Sequence, residues 1–172
     1  MNLGRSCRMV CLGAILAMAA CGGSKSTDPS SNPGNSSTMT AKINGTQFTS
    51  IYTISLHAPA TPGLPNGTIG VTGTSKFTVP YSTLTVSVPA VVGTYQLTGT
   101  VPQNAAVSDQ VNTTTDQLWN AGAGFGGSGS ITLSTLTATG ASGEFSFTAV
   151  PLSGSGATGN KTVTEGKFDV KF

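Results

Sequence analysis

Charge is what this sequence lacks most. Only 8% of its 172 residues are Asp, Glu, Lys or Arg, against about 25% in an average globular protein. Eight Lys and Arg oppose six Asp and Glu, for a formal net charge of +2. A nucleic-acid binder needs Lys and Arg clustered against phosphates, so that class of function is excluded. A long charged helix or coiled coil is excluded too. Histidine occurs once, as His57, and cysteine only at Cys7, Cys11 and Cys21, which excludes a cysteine-rich zinc site. No cofactor is implied by any motif. Aromatic residues are 6% of the chain, and core packing claims most of them.

What is present is unevenly placed. Arg5 and Arg8 precede a twelve-residue apolar run, Met9 to Ala20. That run is shorter than the roughly 20 residues a membrane-spanning helix needs, and it suits the apolar region of a signal peptide. It ends Met18-Ala19-Ala20-Cys21, followed by Gly22-Gly23-Ser24. Small residues ahead of a cysteine at this place resemble the bacterial lipobox. That resemblance implies cleavage after Ala20, a diacylglyceryl thioether on Cys21 and often an acylated amino group. One acyl chain holds marginally and two or more hold stably, because each buried CH₂ contributes about 0.8 kcal/mol. The expected partner of residues 1–21 is therefore a membrane, reached through acyl chains such as palmitate on Cys21. The residue after Cys21 is Gly22 and not Asp, which favours the outer membrane of a bacterial envelope. Loss of residues 1–20 removes Cys7 and Cys11, so no disulfide forms within one exported chain.

Residues 22–38 are mostly Gly, Ser, Asn and Pro. Such a segment cannot bury enough apolar surface to fold, so residues 21–38 read as a lipidated cysteine and a flexible tether. Its coil dimension is roughly 20–25 Å. From residue 39 to 172 the text changes to short apolar alternations punctuated by Gly, Pro and Asn. Thr, 25 of the chain's 27, with Val, Ile and Phe, fills these alternations, which is β chemistry. Asn44-Gly45 between Thr40–Ile43 and Thr46–Ser50 predicts a type I′ hairpin. Further strands are predicted around Tyr52–Leu56, Thr68–Thr74, Thr83–Val88, Thr94–Thr98, Gln117–Ala121, Ser130–Thr139, Glu144–Val150 and Thr162–Phe172. Residues 99–115 carry no clear period. The expected fold is all-β, an antiparallel β-sandwich of about ten short strands, with a small closed β-barrel as the alternative. The expected core is Phe48, Tyr52, Ile54, Leu84, Val86, Phe145, Phe147, Phe168 and Val170.

Two breaks of phase predict β-bulges. Ile131 and Leu133 share one parity while Leu136 and Ala138 take the other, which asks for an extra residue near Ser134-Thr135. Val163 is out of phase with Phe168, Val170 and Phe172, and the isolated Gly166 between them is the expected site of the second bulge.

Candidate sites are sparse. Gly122-Ala123-Gly124-Phe125-Gly126-Gly127 fits G-x-G-x-x-G, but a strand and not a helix is predicted after it, so no dinucleotide site follows. His57 has no partner cysteine and no marked serine nucleophile. Asp109 and Asp116 bracket an Asn/Thr-rich stretch that could offer oxygen ligands to Ca²⁺. Trp119, Tyr81 and Tyr95, with Tyr52, are the side chains on which a sugar would stack. Asn35, Asn44, Asn66, Asn112 and Asn160 open N-x-Ser/Thr triplets and read as turn or linker residues.

The segments Thr40-Ala41-Lys42-Ile43-Asn44-Gly45-Thr46-Gln47-Phe48, Gly93-Thr94-Tyr95, Gly129–Leu133, Gly143-Glu144-Phe145-Ser146-Phe147 and Gly166-Lys167-Phe168-Asp169-Val170 follow in that order. Together they resemble an uncharacterised family of β-rich bacterial lipoproteins, a domain of unknown function. The resemblance implies the fold and the envelope, and no catalytic residues. The expected function is an envelope-anchored lipoprotein acting as a binding or structural module, with a glycan or an envelope protein as partner. The alternative is a lipid-anchored hydrolase of envelope or extracellular glycans. Without residues 1–20 the chain keeps six Lys and six acids, 6 − 6 = 0. So neutral a chain offers few groups for acid–base chemistry, which weighs against the enzyme.

Overall fold

A computed structural model describes residues 37–98 and 103–172. The expected signal peptide, Cys21 and nearly all of the expected tether lie outside these residues. The described elements are all strands: β1 (Thr38–Ile43), β2 (Thr46–Thr49), β3 (Tyr52–Ala58), β4 (Thr68–Thr74), β5 (Tyr81–Pro89), β6 (Gly93–Gln96), β7 (Asn104–Gln110), β8 (Asp116–Gly122), β9 (Ser128–Thr137), β10 (Gly140–Pro151) and β11 (Lys161–Lys171). All their pairings are antiparallel.

One sheet has the order β2-β1-β11-β10-β9-β6, and the other has β3-β4-β5-β7-β8. Strand β10 belongs to both. Its first ten residues lie between β11 and β9, and Val150 and Pro151 pair with Asn120 and Trp119 of β8. The result is one continuous antiparallel sheet of eleven strands, curled on itself into a half-barrel whose two halves face each other like the layers of a sandwich. The main path ends at β2 and β3, and no ladder joins these ends among the described residues. The closed barrel is thus not formed.

The Asn44-Gly45 turn is as the sequence predicts. Asn44 has φ 48° and Gly45 φ 80°, the left-handed pair that a type I′ turn needs. Both bulges are present, the second centred on Glu165 and not on Gly166, which keeps its place opposite Phe145. Ser142 pairs with Thr135 and Gly143 with Leu133, leaving Ser134 as the extra residue of β9. Phe145 pairs with Gly166 and Phe147 with Val163, so β11 carries one residue more than β10 over that interval. The neighbour on the other side, β1, registers the same insertion, with Thr40 opposite Lys167 and Lys42 opposite Thr164. Glu165, at φ 54°, absorbs it. After the bulge, Gly166, Phe168 and Val170 face inward with Val163.

Gly166 has a partner. A Cβ there would lie 2.2 Å from two ring atoms of Phe145, and a Cβ on Gly143 would lie 2.6 Å from Cζ of Phe168. The register sets Gly143 opposite Phe168 and Phe145 opposite Gly166. Each phenyl ring thus covers the glycine of the facing strand, and the two rings stack with centroids 6.5 Å apart. On the outer face between them, Glu144 meets Lys167 at 3.3 Å. The repeated Gly-x-Phe of the two strands is a packing device at the centre of the first sheet.

The core unites both sheets: Met39, Phe48, Ile69, Val71, Leu84, Val86, Val88, Leu97, Val107, Trp119, Ile131, Leu133 and the Phe and Val of β10 and β11. Seven of the nine expected core residues belong to it. Tyr52 and Ile54 do not, being 46% and 54% exposed. Strand β3 alternates as expected but with the opposite face turned in. Thr53 and Ser55 lie on the inner side, while Tyr52, Ile54 and Leu56 face out. Strand β7, absent from the sequence reading, fills the stretch without period. Its inward residues are Ala105, Val107 and Asp109, too small or too polar to mark an apolar alternation.

Candidate functional site

Among the described residues no polar or charged residue is fully buried. The interior ends in a half-buried polar cluster at one mouth of the half-barrel, and strand parity builds it. On β5 the inward series is Ser82, Leu84, Val86; on β7 it is Asp109, Val107, Ala105, in register with the first. On β11, Lys161 shares the inward phase of Val163. These series bring Ser82, Asp109 and Lys161 together from two sheets. Ser82 donates its Oγ hydrogen to Asp109 Oδ1 at 2.6 Å, and Lys161 Nζ donates to Asp109 Oδ2 at 2.6 Å. The Lys161 ammonium also lies 4.5 Å from the centroid of the Trp119 ring. Trp119 Nε1 donates to the Gly159 carbonyl at 2.7 Å, which holds the indole under the lysine stem.

Both partners of this ion pair keep about a fifth to a quarter of their side-chain surface, 20% for Lys161 and 24% for Asp109. Their charges are therefore only partly screened, and the attraction exceeds that of a surface pair. The carboxylate spends both oxygens on fixed donors. It is a strut between the sheets, not a free base.

Above the strut lies a cleft. A groove of about 530 Å³ is lined by the β1–β2 turn (Asn44, Thr46, Gln47), Phe48, the β4–β5 loop (Ser75, Lys76), Ser82 and Lys161. A second groove of about 340 Å³ continues it past Ser75, Lys76 and Ser82 to Tyr81, Asp109 and Gln110. Backbone and side chain tie Ser75 to Ser82: Ser75 N donates to Ser82 O at 2.9 Å, and Ser82 N to Ser75 Oγ at 3.0 Å. That bracket holds the loop carrying Lys76. Lys42, Lys161, Lys167 and Lys171 each pair with an acid, and among the described residues Lys76 is the lysine outside any such pair. The cleft therefore presents one exposed cation, several hydroxyl and amide groups, and the half-buried ring of Tyr81.

Of the residues singled out from sequence, Tyr81 and Asp109 line this cleft and Trp119 lies beneath it, whereas Tyr95, Asp116 and His57 do not converge here. Trp119 is buried at 3% exposure and offers no stacking face to a sugar. Its large apolar ring is drawn into the core, and its single donor is satisfied internally. Tyr81 is half-buried on the outer side of β5, its hydroxyl reaching Gln110 Oε1 at 3.5 Å. Tyr95 lies on β6 and donates to the Val91 carbonyl at 2.6 Å. Burial raises its phenol above the ordinary 10.0. Asp109 and Asp116 occupy opposite faces: Asp109 points inward to Lys161, whereas Asp116, opposite Gln110, points outward and accepts a short hydrogen bond from Ser108. Two carboxylates on opposite sides of a sheet do not share one calcium ion, and among the described residues no group of three His, Cys, Asp or Glu gathers as metal ligands. His57 packs its ring 5.4 Å from that of Phe172 and pairs with no acid among the described residues. The glycine run 122–127 joins β8 to β9, with Gly122 N bonded to Gly126 O at 3.0 Å. A strand follows it, so no helix end faces a phosphate.

Sequence reasoning missed Ser82, Lys161 and Lys76. A signal for Lys161 existed, in its inward phase with Val163. Asp109 and Lys161 each sit in the inward phase of an alternating strand, where a charge needs a partner. Lys76 carries no such signal, since a loop has no phase. Compared with protein-family models, curated proteins and solved structures, the chain matches none.

Proposed function

We propose that this chain is a bacterial envelope lipoprotein. Residues 1–20 are removed as a signal, Cys21 carries the acyl chains, and the linker after it, which ends before β1 at Thr38, tethers a β domain that acts as a binding or structural module. The observation that carries this reading is Met18-Ala19-Ala20-Cys21, set between a twelve-residue apolar run and a Gly/Ser/Asn/Pro linker. The resemblance to β-rich lipoproteins belongs to the same reading, and the outer membrane is its favoured location. Binding is supported by the polar cleft beside Lys76 and Lys161, whose size suits a short saccharide or a chain segment of an envelope protein. The five acids of the domain support a binding module over a hydrolase. Four are held by lysines and Asp116 by Ser108.

The test is metabolic labelling with a fatty acid in a bacterial host. The natural chain takes up label and sediments with membranes, and Cys21→Ala loses both properties. Unchanged labelling of Cys21→Ala overturns the lipoprotein reading.

A further inference from the structure

An apolar stripe lies exposed on the second sheet. Tyr52, Ile54 and Leu56 alternate on the outer face of β3, at 46%, 54% and 64% exposure, and Ile51 precedes them at 56%. Phe77, 67% exposed, extends the stripe, its ring 5.9 Å from that of Tyr52. Beside the stripe, on β4 and β5, the outer face is a threonine ladder, with Thr72 bonded to Thr85 at 3.1 Å. Solitary exposed apolar residues are ordinary, but a contiguous row marks a contact surface.

The chain enters the domain beside this row. Ser37, the first described residue, accepts a hydrogen bond at its Oγ from Lys171 N at 3.0 Å, and the Lys171 carbonyl in turn accepts from Ser55 Oγ of β3 at 2.8 Å. Met39 O accepts from Ser50 N at 2.9 Å, one residue before Ile51. Ser37 thus joins the domain at the β3 edge, through Ser55 on the inner side of that strand, one strand's width from the row on its outer side. From Cys21 to Ser37 the chain spans at most about 55 Å and, as a coil, roughly 20–25 Å. A surface bound to Cys21 therefore meets this edge of the domain at high effective concentration.

Charge points the same way. Between Asp28 and Asp109 the sequence has no acidic residue, so β3, β4, β5 and their loops carry none. Lys76 is next to Phe77. An apolar row with aromatic residues and a lysine, on strands that carry no acid, suits the headgroup boundary of an anionic bilayer; the acid that shares a groove with Lys76, Asp109, is paired with Lys161. A second copy of the chain suits it less. A seven-residue strand measures about 24 Å by 5–10 Å, far below the roughly 1,000 Å² buried by a specific protein interface.

We infer that the outer face of β3, with Phe77, docks on the bilayer to which the chain is tethered, so that the domain lies on the membrane instead of moving freely above it. This rests on the lipid-anchor reading. The cleft beside Lys76 would then open close to the lipid surface.

The exported chain keeps Cys21 as its only cysteine, and acylation blocks it, so an introduced cysteine is a unique labelling site. The lipidated full chain with Ile54→Cys, and separately with Ser146→Cys on the exposed outer face of β10, is labelled with an environment-sensitive fluorophore. Each is reconstituted in phosphatidylethanolamine–phosphatidylglycerol vesicles containing a lipid-borne quencher. The expected result is several-fold stronger quenching and a blue-shifted emission at position 54. Leu56→Asp, tested for an unchanged unfolding midpoint, abolishes that difference. Equal quenching at both positions, with fatty acid present on Cys21, overturns docking and leaves the anchor standing. Absence of fatty acid on Cys21 overturns both. A blue shift at position 54 that persists in detergent, with a doubled particle mass, assigns the row to a second copy and overturns lipid docking.

Discussion

Strands β3 and β10 carry the same kind of text and take opposite orientations. Tyr52, Ile54 and Leu56 alternate with Thr53, Ser55 and His57; Phe145 and Phe147 alternate with Glu144, Ser146 and Thr148. In β10 the large apolar residues go inward, at 3% exposure for both phenylalanines. In β3 they go outward. Period two says that a strand has two faces, and it does not say which one the core receives. The deciding factor is the neighbourhood. β10 is flanked by β11 and β9 over a packed interior, whereas β3 ends the sheet at an open mouth. There its inner side meets β1, Ser50 and the end of β11, with Thr53 bonded to Ser50 and Ser55 to Lys171. Small hydroxyl side chains fill that narrow gap and form hydrogen bonds across it. Tyr, Ile and Leu do not fit it.

The contrast can be broken most forcefully at the centre of the first sheet. Phe168→Ala removes the ring that covers Gly143 and should destabilise the domain by about 3–5 kcal/mol, as for other buried phenylalanines. Urea unfolding followed by circular dichroism reads it. A loss below about 1 kcal/mol would mean that the stacked pair of rings is not the centre of the core. The next effect belongs to the strut. Asp109→Asn leaves Lys161 without its counter-charge and should cost about 1–3 kcal/mol, with a smaller loss at high salt because the pair is partly exposed. The same unfolding measurement at two ionic strengths checks this. The smallest effect is expected on β3: Leu56→Ser should change stability by no more than about 0.5 kcal/mol, despite exchanging a leucine for a serine within an alternating strand. A cost near that of a core leucine would show that β3 buries its apolar face in solution.

Much of the fold was legible because its signals are local. The Asn44-Gly45 turn rests on two left-handed φ angles that these residue types supply. The bulges were legible as breaks of phase, since an inserted residue must shift the parity of whatever follows it; the first falls at Ser134 as read, and the second at Glu165, one residue before the Gly166 that marked it. The site was less legible. Ser82, Asp109 and Lys161 lie 27 and 52 residues apart along the chain, and no spacing rule links them. Trp119 illustrates the converse. A lone tryptophan beside a glycine loop reads as a platform for sugars, but the register opposite Val107 turns it into the interior.

The sequence alone thus determines the scarcity of charge, the β class, the turns and the breaks of phase. Each depends on composition or on residues close together in the chain. Only the tertiary structure decides which face of β3 is buried, which acids find lysines, and that the chain enters the domain beside an exposed apolar row. These depend on which strands become neighbours. Antiparallel pairing across 30 to 130 residues is fixed by the fit of whole faces against one another, and no single strand carries that information.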